Sequence, residues 1–185
     1  LEFGESKQIL ETELIEVYTI PLDHKIDCNG FLFKEKLGSR KIIPEKITEF
    51  SIPFSEINKI KDGGDFTMED GRVIKNEEIT LPPNAPRSYA YCSDTRYKED
   101  LVPLLKNLTL LYHESTFMND LAQIANDRFH STSTEAAQIA KMAEVKQLAI
   151  GHFSGRYRNL NPMLIEAKEI FENTALAIEG TVFDI

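Results

Sequence analysis

Three predicted strands end on side chains that can bind a metal ion or move a proton. Asp94 follows the apolar run in YAYCSD, His113 and Glu114 end the run in LTLLYHE, and His152 follows the run in QLAIGHF. Imidazole nitrogens and carboxylate oxygens are the ligands that zinc and similar ions take in proteins. A single strand end of this kind is usually an ordinary hydrogen-bonded residue, whereas three in succession indicate a site.

A fourth candidate is His130, which directly precedes the clearest helix of the chain. The sequence TSTEAAQIAKMAEV predicts a helix capped at Thr132, with Glu135 at capping-box spacing. Free backbone N–H groups, the positive end of the helix dipole and the hydroxyls of Ser131 and Thr132 make this a candidate phosphate pocket, with an acid–base residue at its rim. The alternative is that the two hydroxyls only cap the helix.

Glu114 and Arg156 add an acid and a phosphate ligand to these candidates. Neighbouring residues on a strand point to opposite faces, so one of His113 and Glu114 can enter the site while the other packs. A pairing of Glu114 with His130 would orient and charge the imidazole. Arg156, in SGRY, offers a planar fork suited to phosphate, although a surface salt bridge explains an arginine equally well.

A layered α/β fold is needed to bring these residues together. The first part of the chain reads as extended structure at 9–22 and 31–36, with Asn29-Gly30 as a tight turn between them. The stretch 37–66 is irregular, with short helices near 44–50 and 54–60, and FTMEDGRVI predicts a hairpin with Asp70-Gly71 at its tip. From about residue 88, strands at 89–94, 108–112, 146–153 and 175–185 alternate with helices at 98–106, 119–128, 132–145 and 161–174, the last capped by Asn161 with Pro162 at its first position. In open α/β sheets ligands gather beyond the carboxyl ends of the strands.

The composition sets limits on the class of protein. A chain of 185 residues with 42% hydrophobic residues can form one domain with a core, and no apolar stretch approaches the roughly 20 residues of a membrane helix. No membrane association is therefore expected. Cys28 and Cys92 are far apart and have no metal-type spacing, so a reducing, cytoplasmic setting is expected. The net charge of −9 argues against a generic nucleic-acid binder. Residues 34–61 are nevertheless net +3, and this run either holds a phosphate-bearing partner or is a solvated surface.

Five segments carry a resemblance to a known family. PLDHKIDCNGFLF, YCSDTRY, LLYHESTF, DRFHSTSTEAAQIA and LAIGHFSGRY, in this order and spacing, resemble ribonuclease Z, the tRNA 3′-processing endonuclease of the metallo-β-lactamase superfamily. The resemblance covers essentially the whole chain. It implies a homodimeric, zinc-dependent phosphodiesterase that removes the 3′ trailer from precursor tRNA. It also implies an α/β fold that is the C-terminal half of a four-layer αβ/βα sandwich.

The resemblance implies roles for individual residues. His24, Asp94 and His152 are the implied metal ligands, with Asp94 bridging two zinc ions, while His130 is the implied catalytic histidine and Glu114 its acidic partner. An inserted arm at 37–66 would grip the tRNA, although the family's Gly-Pro element is absent and SIPFSEINKI stands in its place. The candidate substrate-binding residues are Ser131, Thr132, Arg156, Lys34, Lys36, Arg40 and Lys41.

The superfamily's His-x-His-x-Asp-His loop is absent, since no two histidines of this chain are separated by one residue. A catalytic zinc takes about three protein ligands plus water, and a two-metal site needs its ions about 3.5–4 Å apart. His24, Asp94 and His152 do not supply two such sites. We therefore expect a C-terminal part of the enzyme, beginning near the middle of the fold and inactive as a nuclease by itself.

Two alternatives to this interpretation stay open. The parent enzyme could act on small phosphodiesters rather than tRNA. The arm at 37–66 distinguishes the two, because its deletion should abolish tRNA processing but spare hydrolysis of a small chromogenic phosphodiester. The chain could also be a non-catalytic piece that binds tRNA or forms the dimer.

Overall fold

The computed structural model describes residues 4–185, which divide into two compact units. The first unit joins the chain up to Glu35 to the segment Arg87–Ile185, and the second unit is Lys36–Pro86. The strands are, in chain order, β1 (Gln8–Glu11), β2 (Ile15–Pro21), β3 (Asn29–Glu35), β4 (Lys41–Ile42), β5 (Phe66–Thr67), β6 (Val73–Ile74), β7 (Thr80–Leu81), β8 (Ser88–Cys92), β9 (Leu110–Glu114), β10 (Gln147–Gly151) and β11 (Thr174–Leu176). The helices are α1 (Pro44–Glu49), α2 (Ile57–Lys61), α3 (Asn76–Ile79), α4 (Ala122–Asp127), α5 (Ser133–Met142) and α6 (Asn161–Lys168).

The first unit is built on a mixed sheet that has seven strands within residues 4–185. Their order is β1-β2-β3-β8-β9-β10-β11. The pairings from β1 to β8 are antiparallel, whereas those from β8 to β11 are parallel. The predicted change near residue 88, from hairpin-like strands to strands alternating with helices, is therefore confirmed. Among these described residues, none of the helices combines the length and the apolar character that crossing a membrane requires.

The main core lies between one face of this sheet and its helices. Side chains alternate across a sheet, and Ala90, Leu111 and Ile150 on the central strands share one fully buried cluster with α5. The capping box of α5 is present, because the Thr132 hydroxyl accepts the Glu135 N–H and the Glu135 carboxylate accepts the Thr132 N–H. The predicted apolar stripe of this helix is completely buried: Ala136, Ile139, Ala140 and Ala143.

The opposite face of the sheet carries aromatic side chains. Tyr91 stacks on Tyr112 with ring centroids 4.6 Å apart, and Phe33 stacks on Tyr89 at 5.9 Å. The register places these residues between core residues such as Ala90, so they point away from the helices. Phe33 is 38% exposed and Tyr91 39%. The sheet therefore has one covered face and one partly exposed aromatic face.

The second unit has its own small core, formed by Ile52, Ile60, Phe66, Ile74 and Ile79. Strand β4 pairs with β7, and β5 pairs with β6, both antiparallel. The predicted hairpin is present, with Gly71 at a φ of 85° in its turn. The unit contains the predicted insertion and continues past it to Pro86. Residues 36–86 hold eight basic and nine acidic side chains, so their net charge is −1.

The predicted helix at about 98–106 is wrong. A short 3-10 turn at Glu99–Leu101 stands there, and the backbone bonds that follow span three residues more often than four, as in Leu104 N–H to Leu101 O at 3.0 Å. Pro103 is the physical reason, because proline has no N–H to donate and its ring clashes with the carbonyl one helical turn earlier.

The predicted turn at Asn29-Gly30 is also wrong, since both residues lie inside β3 and pair with Pro21 and Ile20. Glycine is required here by a close approach of two strands. A Cβ at Gly30 would lie closer than 3.0 Å to the Tyr91 carbonyl oxygen.

The last two elements are shorter than predicted. Helix α6 begins at Asn161 itself, with Leu160 at the N-cap position and Pro162 in the first turn. Strand β11 ends at Leu176. Beyond it Ile178 and Val182 are 52% and 83% exposed, so burial does not hold an extended strand there.

Candidate active site

The candidate residues meet at one edge of the sheet. Strands β8, β9 and β10 are parallel, so their carboxyl ends share an edge, and β2 runs in the same direction because two antiparallel pairings separate it from β8. Asp94 comes two residues after β8, Glu114 ends β9, His152 directly follows β10, and His24 comes three residues after β2. The structure therefore brings together the strand ends that the sequence singled out.

A compact group of possible metal ligands forms at this edge. One ligand atom from each member lies within 4.8 Å of the others, the members being Asp94, Glu114, His130 and His152. His24 lies beside this group, with its ring centroid 5.3 Å from that of His130. Its Nδ1 donates to the Phe129 carbonyl oxygen at 3.0 Å, so its Nε2 is the nitrogen left free.

Strained backbone turns the site residues toward one another. Asp94, His152 and Phe129 have φ values of 61°, 58° and 62°, in the left-handed region. Non-glycine residues there cost about 1–3 kcal/mol each and collect at functional sites. The turn that ends each strand lets Asp94 and His152 face each other, with His152 Nε2 3.2 Å from Asp94 Oδ1. We call these two residues the metal pair.

The Glu114 carboxylate is completely buried and accepts hydrogen bonds from four groups. Oε1 accepts the Thr95 N–H at 2.6 Å and His130 Nδ1 at 2.9 Å, while Oε2 accepts the Thr116 hydroxyl at 2.6 Å and the Ser131 N–H at 3.2 Å. Burial alone would raise the pKa of Glu114, but the bonds from His130, Thr116 and Thr95 outweigh it and hold the pKa below its usual value. Glu114 is therefore an anion at neutral pH.

His130 is the partner of this anion, and the two form what we call the acid–base pair. The hydrogen bond from Nδ1 to Glu114 raises the pKa of His130, and that effect exceeds the lowering by burial. The imidazole is therefore readily protonated. Because Nδ1 is engaged, Nε2 is the nitrogen available to a substrate, and the side chain remains 18% exposed. The predicted contact between Glu114 and His130 is thus present, while its catalytic use stays a proposal.

The metal pair has donor atoms of the types that a zinc ion binds, but too few of them to hold the ion alone. A carboxylate oxygen and an imidazole nitrogen 3.2 Å apart, with both side chains about two-fifths exposed, present the oxygen and nitrogen donors that zinc takes. Glu114 and His130 are already hydrogen-bonded to each other. Asp94 and His152 are therefore the members of the group that remain available to a metal ion. With the adjacent His24, the described residues offer one incomplete ligand set.

His113, Ser131 and Thr132 are buried beneath the site. His113 donates from Nδ1 to the Glu114 carbonyl oxygen at 2.8 Å, on the helix-facing side of β9, and burial lowers its pKa. The Ser131 N–H donates to Glu114, its hydroxyl donates to the Thr95 carbonyl at 2.7 Å, and the Thr132 N–H is taken by Glu135. These donors already have acceptors in the protein, and the bonds position the loop and the start of α5. Substrate binding by Ser131 and Thr132 stays a prediction.

Arg156 and Lys34 are both exposed in the first unit. The Arg156 guanidinium lies 4.9 Å above the Phe117 ring, whose centroid is 6.3 Å from that of His130, so this cation borders the site. Lys34 lies on β3, with Nζ 5.5 Å from the centroid of the Tyr18 ring.

Lys36, Arg40 and Lys41 lie in the second unit. Arg40 donates from Nε to the Thr80 hydroxyl at 2.7 Å, and Lys41 donates to Asn84. Phosphate binding by these three residues and by Lys34 stays a prediction.

The loops of the site are joined by an arginine whose contacts the sequence did not predict, and we call its interactions with Phe129 and Asp23 the Arg96 clasp. The Arg96 guanidinium lies 4.1 Å over the Phe129 ring and pairs with the Asp23 carboxylate at 3.1 Å. Asp23 precedes His24 and Phe129 precedes His130, so one arginine ties together the loops after β2 and β8 and before α5. The Thr95 hydroxyl adds a bond from the Asp23 N–H at 3.1 Å. Arg96 stood in the YCSDTRY segment, but nothing in its spacing pointed to Phe129.

Comparison with solved structures identifies the fold. The chain is similar to a metallo-β-lactamase fold protein from Bacillus subtilis, with a TM-score of 0.60 and 18% identity over 94% of this chain and 51% of that one. It is also similar to the short form of human tRNase Z, with a TM-score of 0.57 and 20% identity over 97% and 47% of the two chains. Identities this low show the fold alone, and the fold is that of the metallo-β-lactamase class.

Curated sequences give the particular relatives. Ribonuclease Z from Cytophaga hutchinsonii is 48% identical over 184 residues, or 99% of this chain, and ribonuclease Z from Bacteroides thetaiotaomicron is 44% identical over 184 residues, or 100%. Ribonuclease Z from Porphyromonas gingivalis is 43% identical over 175 residues, or 95%. The chain spans 58% of the length of each of these relatives. No protein-family model matches it. The resemblance to ribonuclease Z, read first from sequence segments, is thereby confirmed.

Proposed function

We propose that this chain supplies part of the active site of a zinc-dependent endoribonuclease that removes the 3′ trailer from precursor tRNA. The observation that carries the proposal is the adjacency of the two pairs, with Asp94 and His152 beside Glu114 and His130 within 4.8 Å. A ligand set for a cation therefore adjoins a charged acid–base pair, which is the combination that phosphodiester hydrolysis requires. The ribonuclease Z relatives support this substrate over other phosphodiesters.

Each residue has a role that its contacts allow. Asp94 and His152, with His24 beside them, would hold zinc, which when bound polarises the phosphodiester and activates water. His130 donates a proton from Nε2 to the leaving oxygen, and Glu114 keeps that imidazole charged and oriented through Nδ1. Arg156 is positioned to hold a phosphate oxygen with its planar fork.

The ligand count implies that the chain alone does not cleave precursor tRNA. Three donors fall short of the six or so that two catalytic zinc ions would take from protein. We propose that the chain is the C-terminal part of the enzyme and that the remaining ligands lie in the part of the relatives that the match does not cover. Incubation of the pure chain with precursor tRNA and zinc tests this, because robust turnover would contradict the incomplete site.

A chimera tests the proposed function itself. The unmatched part of the Cytophaga hutchinsonii relative is fused ahead of this chain, and cleavage of precursor tRNA is measured with zinc. We expect activity, an about 10²–10⁴-fold loss of kcat for His130→Ala because general acid catalysis is worth that much, and loss of zinc uptake for Asp94→Asn. Glu169→Gln is the control for Asp94→Asn, because it also removes one negative charge but at an exposed position. A chimera that binds zinc but leaves precursor tRNA intact would refute the assignment.

The second unit, Lys36–Pro86, contains the arm predicted at 37–66, and we propose that the unit as a whole binds the tRNA. Its net charge of −1 means that any contact with phosphate must use local basic side chains such as Arg40 and Lys41 rather than an overall positive field. Whether it serves this role separates a tRNA enzyme from one that acts on small phosphodiesters.

The sheet offers a clean way to remove this unit. Glu35 and Arg87 face each other across β3 and β8, with Glu35 N–H donating to the Arg87 carbonyl oxygen at 2.9 Å. Replacing 36–86 by Asn-Gly would close these strands as a two-residue hairpin. In the chimera we expect this deletion to abolish precursor tRNA cleavage while hydrolysis of a small chromogenic phosphodiester continues. Retained tRNA cleavage would remove the grip from the proposal.

A non-catalytic role in assembly is favoured by one observation, the partly exposed aromatic face that carries Phe33 and Tyr91. We propose a homodimer in the reducing cytoplasm, where Cys28 and Cys92 stay free. Light scattering and a salt-dependent RNA titration of the pure chain test this role. A monomer without measurable RNA affinity would exclude it for the chain alone.

A further inference from the structure

The Thr116 hydroxyl is buried between the two pairs of the site. Its oxygen lies 2.6 Å from Glu114 Oε2, 2.9 Å from His152 Nδ1 and 3.0 Å from the His152 carbonyl oxygen. Thr116 itself is only 7% exposed, so water does not replace these partners. Two backbone bonds hold the arrangement in place, from Ser115 N–H to Gly151 O at 2.8 Å and from Ser154 N–H to Thr116 O at 3.1 Å.

The direction of these hydrogen bonds follows from the donors available. A hydroxyl has one proton to give. The ionised carboxylate of Glu114 and the carbonyl of His152 can only accept, so the Thr116 proton goes to one of them, and the carboxylate is nearer and charged. His152 Nδ1 is then the one neighbour among these three that can donate to the Thr116 oxygen. If Nδ1 were instead an acceptor, the 2.6 Å contact between the Thr116 and Glu114 oxygens would have no proton in it, which is costly because both residues are buried.

We propose that Thr116 is a positioning residue that fixes His152 as the tautomer with its proton on Nδ1. The lone pair of Nε2 is then directed at Asp94 Oδ1, 3.2 Å away. The lone pairs of His152 Nε2 and Asp94 Oδ1 repel each other at that distance, and a cation between them relieves the repulsion. The tautomer therefore prepares the metal pair to bind a cation. The inference rests on the proposed function only for the identity of that cation.

The same hydroxyl couples the two pairs. The Glu114 charge acts on His130 through a direct hydrogen bond and on His152 through Thr116. One buried carboxylate therefore sets the protonated state of the acid and the tautomer of the ligand. Histidine ligands are typically oriented by a bond to their second nitrogen, and loss of such a bond typically lowers metal affinity 10–100-fold.

The competing arrangement places the His152 proton on Nε2, where it would donate to Asp94. That contact is about two-fifths exposed on both sides, so water can replace it, whereas the contact of Thr116 with Glu114 is buried. Thr116→Val removes the hydroxyl at nearly constant volume. Thr116→Ser keeps the hydroxyl and removes only a methyl group.

The tautomer is measured directly by two-bond ¹⁵N–¹H correlation spectra of the imidazoles, on the metal-free 185-residue chain. The pH is set about two units above the ordinary imidazole value of about 6.5. We expect the His152 ring to carry its proton on Nδ1 in the unchanged chain and in Thr116→Ser, and to move it to Nε2 in Thr116→Val. An Nε2 proton in the unchanged chain, or an unaltered pattern in Thr116→Val, would overturn the proposal. The unchanged chain alone decides the matter if the valine variant does not fold.

Calorimetric titration of the chimera with Zn²⁺ separates this inference from the proposed function. We expect about 10–100-fold weaker binding for Thr116→Val and a change of less than about threefold for Thr116→Ser. If the unchanged chain shows the Nδ1 tautomer but the chimera takes up no Zn²⁺, the positioning role stands and the metal proposal falls. If it binds Zn²⁺ and both variants bind equally, the metal proposal stands and the positioning role falls.

Discussion

Replacement of Glu114 by glutamine perturbs the centre of the site with almost no change in size. The amide oxygen can stand in for Oε1 and accept the Thr95 N–H and His130 Nδ1. The amide nitrogen at the Oε2 position then faces two donors, the Thr116 hydroxyl and the Ser131 N–H. The hydroxyl can rotate to accept, whereas the Ser131 N–H is left without an acceptor.

The structure allows the magnitude of this loss to be worked out. Loss of charge from the bond to His130 removes a charge-assisted hydrogen bond, worth about 1.5–3 kcal/mol, and an unsatisfied buried N–H adds about 1–3 kcal/mol. Since the amide oxygen keeps part of the hydrogen bond to His130, we expect the free energy of unfolding to fall by about 2–5 kcal/mol. For a chain of this length that corresponds to a decrease in Tm of roughly 4–20 °C.

The pH dependence of the loss has a definite sign. The raised pKa of His130 contributes stability that is complete below its unfolded value of about 6.5 and is lost as pH rises through the folded value. The lowered pKa of Glu114 contributes stability that is present above its unfolded value of about 4.3 and is lost as pH falls through the folded value. The difference between the unchanged chain and Glu114→Gln should therefore be largest between about pH 4.5 and 6.5 and smaller at pH 9.

Urea unfolding followed by circular dichroism across this pH range measures the difference. Exposed Glu169→Gln carries the same charge change and should alter the free energy of unfolding by less than about 0.5 kcal/mol. A Glu114→Gln variant as stable as this control, or a difference that grows steadily toward high pH, would refute the assignment of a charged acid–base pair.

Two further substitutions test how the site is held. Gly151→Ala should lower the free energy of unfolding by about 1–3 kcal/mol, because the new Cβ would lie closer than 3.0 Å to the Tyr112 ring. Gly155→Ala is the matched control, because its Cβ meets nothing within 4 Å. Equal stability of the two variants would show that the Tyr112 ring does not constrain the end of β10. Arg96→Lys keeps the charge but loses the planar stacking of the clasp, so it should cost about 1 kcal/mol and broaden the histidine ring signals of the site. Arg72→Lys, at an exposed pair in the second unit, should do neither, and unchanged ring signals in Arg96→Lys would remove the clasp from the account.

Much of the fold was predictable because it depends on local chemistry. The capping box at Thr132 and the apolar stripe of α5 are written in short spacings, and they appear as predicted. The change to a parallel α/β arrangement also followed from the rhythm of apolar runs. Two errors came where one residue overrides a pattern: Pro103 interrupts a helix, and Gly30 serves a close strand approach that no local signal distinguishes from a turn.

The sequence by itself determined which residues stand at the strand ends, and hence that Asp94, Glu114 and His152 reach one edge of a sheet. The pairing of Glu114 with His130 was also predicted from the sequence. Only the tertiary structure decided which groups orient the ligands: the hydroxyl beside His152 Nδ1 belongs to Thr116, thirty-six residues away, and Arg96 joins the loop of His24 to that of His130. Such pairings are set by strand register and by left-handed turns at single residues, and a hydrogen bond between distant loops leaves no periodicity in the chain for spacing to reveal.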